Sequence, residues 1–267
     1  MELELPSPRF LRFGFAAICL ATAFISSPIA LASDAAVIPL PPEVARDLEL
    51  LGKGVVGKAL PAPPITNVHE YANLGSGTWE YKIVSGGKDG EKVRSESYEK
   101  MPAEDGAEVW KRTIGTEFVE YMTIETDHDF GKHLEDDLDV GYSSRFLPGV
   151  LWLSKTKAGE TRTIESKIES FKTDRPDHIS YHGKLTAKLS YIGQYEVTTP
   201  AGTWPAVLAR AEFDIKVGPA KVTDTAYMFF AKGVGKIAEI ETTHVSALLI
   251  YHSSTKVAKL LKSYPKR

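Results

Sequence analysis

Between Ile179 and Val197 apolar residues and glycines hold the odd positions, including Tyr181, Leu185, Ala187, Leu189, Tyr191 and Tyr195, while the even ones are polar except Ile192. A period of two predicts a strand with one dry face and one wet face. Laid flat, these nineteen residues would run roughly 60 Å, too far for a domain of this size. The strand must therefore bend, and Gly183 and Gly193 on its dry face are where a bend or bulge is easiest. At Pro200-Ala201-Gly202 proline presets the first turn residue and glycine supplies a positive φ, which predicts a three-residue hairpin with a bulge. Alternation then resumes, with Val207, Ala209, Ala211, Phe213, Ile215 and Val217 against Arg210, Glu212, Asp214 and Lys216.

The same reading places a strand from Gly77, where Trp79, Tyr81 and Ile83 alternate with polar residues, and further strands at 91–101, 107–114 and 118–126. Weaker ones flank Pro148 at 140–146 and 150–153, and others follow at 160–172, 221–231 and 236–249, the last two joined by Gly233-Val234-Gly235. Two stretches have helical spacing instead. Val44, Leu48, Leu51 and Val55 follow a Pro41-Pro42-Glu43 start, and Val257, Leu260, Leu261 and Tyr264 follow Ser253-Ser254. Nine or ten antiparallel strands with one dry face need cover. The expectation is an all-β fold with flanking helices: a strongly bent antiparallel sheet, a half-barrel, wrapped around one or two amphipathic helices, with a closed barrel as the alternative. The boundaries read as a signal peptide at 1–32, an N-terminal helix and Pro-rich connector at 33–76, the β domain at 77–252 and a C-terminal helix at 253–267.

The signal peptide rests on Arg9 and Arg12, the apolar run from Gly14 to Ile25 and the small-residue site Ala30-Leu31-Ala32. The run is shorter than the roughly 20 residues of a membrane-spanning helix, so no membrane span is expected in the mature chain. Removing 1–32 removes Cys19, the only cysteine, together with two basic and two acidic residues, so the net charge stays at −3. The core must then supply stability without a disulfide. The charge balance gives no reason to expect nucleic acid.

Candidate chemistry is thin. Asp127, His128, Asp129, His133, Glu135, Asp136, Asp137 and Asp139 form the densest group of ligand types, and the first residues resemble a calcium loop. Gly131 and Leu138 occupy positions where that loop needs oxygen ligands, so a solvated hairpin tip with an acidic flank is expected and no metal. His178 and His182 lie roughly 13 Å apart along an extended strand and read as surface residues. His244 and His252 lie near Ser246, Ser253 and Ser254, but no nucleophile-elbow or metalloprotease motif accompanies them. No enzyme and no cofactor are expected.

Two turns carry a likeness. Pro200-Ala201-Gly202-Thr203-Trp204 and, farther on, Phe229-Phe230-Ala231-Lys232-Gly233-Val234-Gly235-Lys236-Ile237 resemble a pattern in exported proteins of unknown function from Gram-negative bacteria. Those proteins are similar in fold to the periplasmic half-barrel carriers that shuttle lipoproteins. The likeness spans roughly residues 77 to 250, and members more often have phenylalanine at the place of Trp204. It implies a periplasmic half-barrel and no activity.

In such a fold Trp79, Tyr181, Leu185, Leu189, Tyr191, Tyr195 and Phe213 fall on the dry face and are the expected ligand-binding residues. The expected role is a periplasmic binding or carrier protein for an apolar small molecule, a lipid or an acyl chain. The alternative is a non-enzymatic structural or assembly partner of an envelope protein or export complex.

Overall fold

The computed structural model describes residues 35–72, 75–87, 90–102, 107–124, 129–247 and 251–265. The expected signal peptide lies outside them. No described helix is long and apolar enough to cross a membrane.

The chain enters through α1 (Pro42–Leu48), with proline at its first position and Glu43 in its first turn. A 3₁₀ turn over Glu49–Leu51 follows and ends at Gly52 with φ +109°. A short strand, β1 (Val56–Leu60), and a single helical turn, α2 (His69–Ala72), precede the meander. The meander runs β2 (Gly77–Ser85), β3 (Val93–Lys100), β4 (Glu108–Ile114), β5 (Phe118–Ile124), β6 (Phe130–Asp137) and β7 (Tyr142–Leu153). It continues as β8 (Thr161–Lys172), β9 (Ile179–Thr199), β10 (Gly202–Val217), β11 (Ala220–Ala231), β12 (Gly235–Ala247) and β13 (Tyr251–Ser263).

Each strand from β2 to β13 pairs antiparallel with the next, β13 pairs with β2, and β8 pairs with β9. Twelve strands thus close into a barrel, with β1 appended to β9 beyond the end of β8, from Val56↔Val197 to Leu60↔Gln194. The expected half-barrel is corrected to a closed barrel. The long strand finds partners along both edges, β10 on one side and β8 on the other, which removes the open edge a half-barrel would keep.

The expected single dry face is corrected too. Opposite β10 the register jumps, with Leu208 against Gly193 but Ala209 against Tyr191, so Ile192 is an extra residue. A bulge of one residue exchanges the faces of the strand. Odd positions up to Tyr191 therefore line the lumen with Val207, Ala209, Met228 and Phe230. Odd positions from Gly193 onward face outward, where Tyr195 and Val197 join Leu208, Phe229 and Ile240 beneath Val44, Leu48 and Leu51. The bend or bulge expected at Gly183 or Gly193 is a bulge at Ile192, next to Gly193, and α1 lies on the outside of the barrel.

The C-terminal helix expected at 253–267 is a strand, β13. Its residues 258–261 are buried on both faces, Ala258 and Leu260 with the outer cluster and Lys259 toward the lumen. Two covered faces erase the alternation that marks a half-buried strand. Of the expected hairpin tip and acidic flank, Phe130–Asp137 is strand β6, while Asp127 and His128 lie outside the described residues.

Turns after the odd-numbered strands gather at one end of the barrel. Residues 61–72 run across that end. Ile65 bridges to Thr156, Glu70 O accepts from Gly233 N at 2.7 Å, and Ala62, Ile65, Val68 and Tyr71 pack on the lumen cluster. Turns after the even-numbered strands mark the other end. At the β9–β10 hairpin Thr199 pairs directly with Gly202, so the loop is the two residues Pro200-Ala201 and not three. Gly202 has φ +149°, and a Cβ there would lie 3.0 Å from the Trp204 ring. Gly202→Val should therefore cost about 1–3 kcal/mol, read as a lower urea midpoint; an unchanged midpoint would mean the turn tolerates a side chain.

Candidate functional site: the barrel lumen and its mouth

Toward the closed end the lumen is filled by charge. Glu96 on β3 accepts from Arg112 Nη2 on β4 at 2.7 Å and from Lys259 Nζ on β13 at 2.8 Å, and Lys236 Nζ on β12 lies 3.3 Å away. Arg112 Nη1 donates to Glu120 at 2.7 Å, and Lys132 on β6 bridges Glu120 and Glu135. Glu239 accepts from Lys236 at 2.8 Å and pairs with Lys259 at 2.5 Å. Strands β12 and β3 have β13 and β2 between them, so the Lys236–Glu96 contact reaches across the lumen.

Aromatic rings wall this lattice. Trp152 on β7 has Arg112, Lys132 and Lys236 at 5.6, 5.8 and 5.9 Å, and Tyr81 has Lys259 at 5.3 Å, all within cation–π range. A void of about 20 Å³ among Tyr98, Arg112, Met122, Phe130, Trp152, Phe230 and Lys236 is large enough for one water.

The electrostatics follow from burial and partners. Burial alone would raise the Glu96 carboxyl, but Arg112, Lys236 and Lys259 hold it well below the usual range. Burial likewise opposes ionisation of Glu239, yet Lys236 and Lys259 bring it down to about 2. Farther along the lumen Asp224 behaves in the opposite way. Burial first, and Glu241 second, push its carboxyl up to about 8. Its Oδ2 accepts from Thr243 Oγ1 at 2.8 Å, and its buried Oδ1 has no partner among the described residues.

Toward the other end the wall becomes apolar. Phe146, Ile168, Leu185 and Ala187 are buried with half-buried Ile164, and half-buried Phe213, Ile215 and Val217 continue the apolar wall toward the rim on β10. Asp224, Glu241 and Thr243 lie on β11 and β12, outside that wall. At the rim Leu138 and Val140 of the β6–β7 turn are 47% and 64% exposed, and Tyr181 is 42% exposed with its ring 6.3 Å from Tyr142.

Of the expected ligand residues, Leu185, Leu189, Tyr191 and Phe213 share the lumen wall. The other three do not join them. Trp79 is buried, donates Nε1–H to Val234 O at 3.2 Å and stands edge-on to Tyr98 at 5.0 Å. Tyr195 faces outward against Phe229, with burial pushing its phenol up to about 12. Tyr181 stands at the rim. Even within the lumen, Leu189 and Tyr191 are packed, and the Tyr191 hydroxyl donates to Pro63 O of the segment crossing the closed end at 3.0 Å. His178 and His182 are exposed. No group of three or more His, Cys, Asp or Glu suited to a metal occurs among the described residues.

The lattice itself escaped sequence reasoning, because Glu96, Arg112, Glu120 and Lys132 occupy positions that read as wet. One signal was present. In Lys236-Ile237-Ala238-Glu239-Ile240 the charges stand among apolar residues on both parities, as expected where both faces of a strand are covered.

No family model and no curated protein matches this chain. Among solved structures it is similar to a protein assigned as exported, with a YmcC-like fold, from Bacteroides fragilis. That match has 11% identity over 71% of this chain and 95% of the other, with a TM-score of 0.42. It is also similar to a protein assigned as a lipoprotein from Parabacteroides distasonis, at 14% identity over the same shares of 71% and 95%, with a TM-score of 0.32.

Proposed function

We propose that this chain is an exported, non-enzymatic binding protein that holds the apolar part of an amphipathic ligand, such as an acyl chain, in the mouth of its barrel. The observation that carries this reading is the half-buried apolar wall of Phe213, Ile215 and Val217, which runs toward the exposed rim at Leu138, Val140 and Tyr181. Each methylene taken from water onto that wall contributes about 0.8 kcal/mol. Asp224, Glu241 and Thr243 offer polar partners to a head group. Because residues 61–72 and the ion lattice fill the other end, entry and exit use the same mouth. Export rests on the signal-peptide pattern of the sequence.

The filled lumen also favours a second reading, in which the rim patch of Leu138, Val140 and Tyr181 docks a protein of the envelope. The two separate by experiment. Native mass spectrometry of protein purified from its own host should find bound lipid, and Phe213→Asp should reduce it by about tenfold or more without changing the far-ultraviolet spectrum. Absence of lipid from the wild type, or equal lipid in both, sinks the carrier reading. Loss of a co-purifying protein on Leu138→Ser with Val140→Ser would carry the second.

A further inference from the structure

A separate concave site lies on the outer face of the barrel, over the strands that extend past α1. Register defines it. Thr223, His244 and Ser254 form one row across β11, β12 and β13, and Lys221, Ser246 and His252 form the next. These positions have the same parity as Tyr227, Ile240 and Ala258, which pack in the outer cluster with α1, so the six side chains point away from the lumen. With Val245 and Ser253 they line a cavity of about 410 Å³, within the size range of small-molecule sites.

The lining is chemically one-sided. Its outward side chains supply an ammonium, two imidazoles and three hydroxyls, and the lining holds no carboxylate, in a chain whose net charge is −3. The nearest acid paired with Lys221 is Asp214, at 3.9 Å and outside the lining. Ser246 donates to Lys221 O at 3.5 Å, whereas the side chains of Thr223, His244, His252 and Ser254 hydrogen-bond to no other described residue. His244 is diagonal to Lys221 on one side and to His252 on the other, and diagonal neighbours of this kind stand about 7–8 Å apart. That spacing lets three cationic or N–H-bearing side chains converge on one tetrahedral anion, with hydroxyls supplying further donors.

We propose that this groove binds a phosphate-type oxyanion, either free or as the phosphate of a larger molecule. It stands on the outer face, so it does not depend on the reading of the lumen. Anion recognition here needs no charge on the barrel wall beyond Lys221, His244 and His252.

The test uses the full mature chain, ¹⁵N-labelled, titrated with inorganic phosphate, with glycerol 3-phosphate and with vesicles of phosphatidylglycerol in phosphatidylcholine. Phosphate should shift the side-chain resonances of His244 and His252, and His244→Ala with His252→Ala should weaken binding about tenfold or more. Lys221→Ala provides a second variant in case the histidine pair disturbs the hairpin. Binding of the soluble phosphates alone identifies a free anion as the source, and vesicle binding lost in the variants identifies a lipid head group. No resonance shift, an affinity unchanged in both variants, or a response to zinc with none to phosphate would each overturn the proposal.

Discussion

Replacing Glu96 with alanine is expected to remove about 3–5 kcal/mol of folding stability, a large part of what a domain has in total. Glu96 is fully buried and faces Arg112, Lys236 and Lys259, which are themselves buried. Removing the carboxylate leaves three almost wholly buried cations, which among the described residues keep ion pairs only to Glu239 and Glu120. Lys262→Ala at the exposed Glu80–Lys262 pair is the control and should leave the urea midpoint almost unchanged. Urea denaturation of both variants decides the matter. A Glu96→Ala loss no larger than that of the control would mean that water already enters the lattice.

The lattice also explains what the sequence could and could not reveal. The strands were legible wherever one face meets water: β9 and β10 announce themselves because Lys184, Lys188, Asp214 and Lys216 are exposed. Where both faces are covered the period disappears, and β13 passes for a helix because Val257, Leu260 and Leu261 also fit helical spacing. Face assignment failed for a different reason. The extra residue Ile192 leaves the alternation of β9 intact in sequence while moving Tyr195 from the lumen to the outside. Closure was illegible because it depends on β8 meeting β9 across one turn and on β13 meeting β2, and no local pattern records the second pairing. The candidate site was legible in part, since Leu185 and Phe213 stand on the lumen wall while Trp79 and Tyr195 close other interfaces. The charged side chains that fill the lumen carry no mark of burial in the sequence, because burial of a strand's polar face is decided by the far wall of the barrel.

The far wall also sets the pH response, through Asp224. An unfolded aspartate titrates near 3.8, and in the barrel its carboxyl stands at about 8. Below the first value the proton is bound in both states and nothing is lost. Between them folding must take up a proton, so stability falls as pH rises, by up to about 1.4 kcal/mol per unit. Above the second value the loss is complete. Glu239 works from the other side. Its carboxyl is brought from 4.5 down to about 2, so its contribution is present above the first value and is lost as pH falls toward the second. The two together place the greatest stability in mildly acidic solution. Asp224→Asn removes the first effect while keeping the Thr243 contact, because its amide oxygen still accepts from the Thr243 hydroxyl. The variant should be less stable than the wild type or equal to it at pH 4, and clearly more stable at pH 9, with a flatter profile between. Urea midpoints at several pH values will show this crossing. Parallel profiles for the two proteins would mean that the Asp224 carboxyl is hydrated and ionised in the folded barrel.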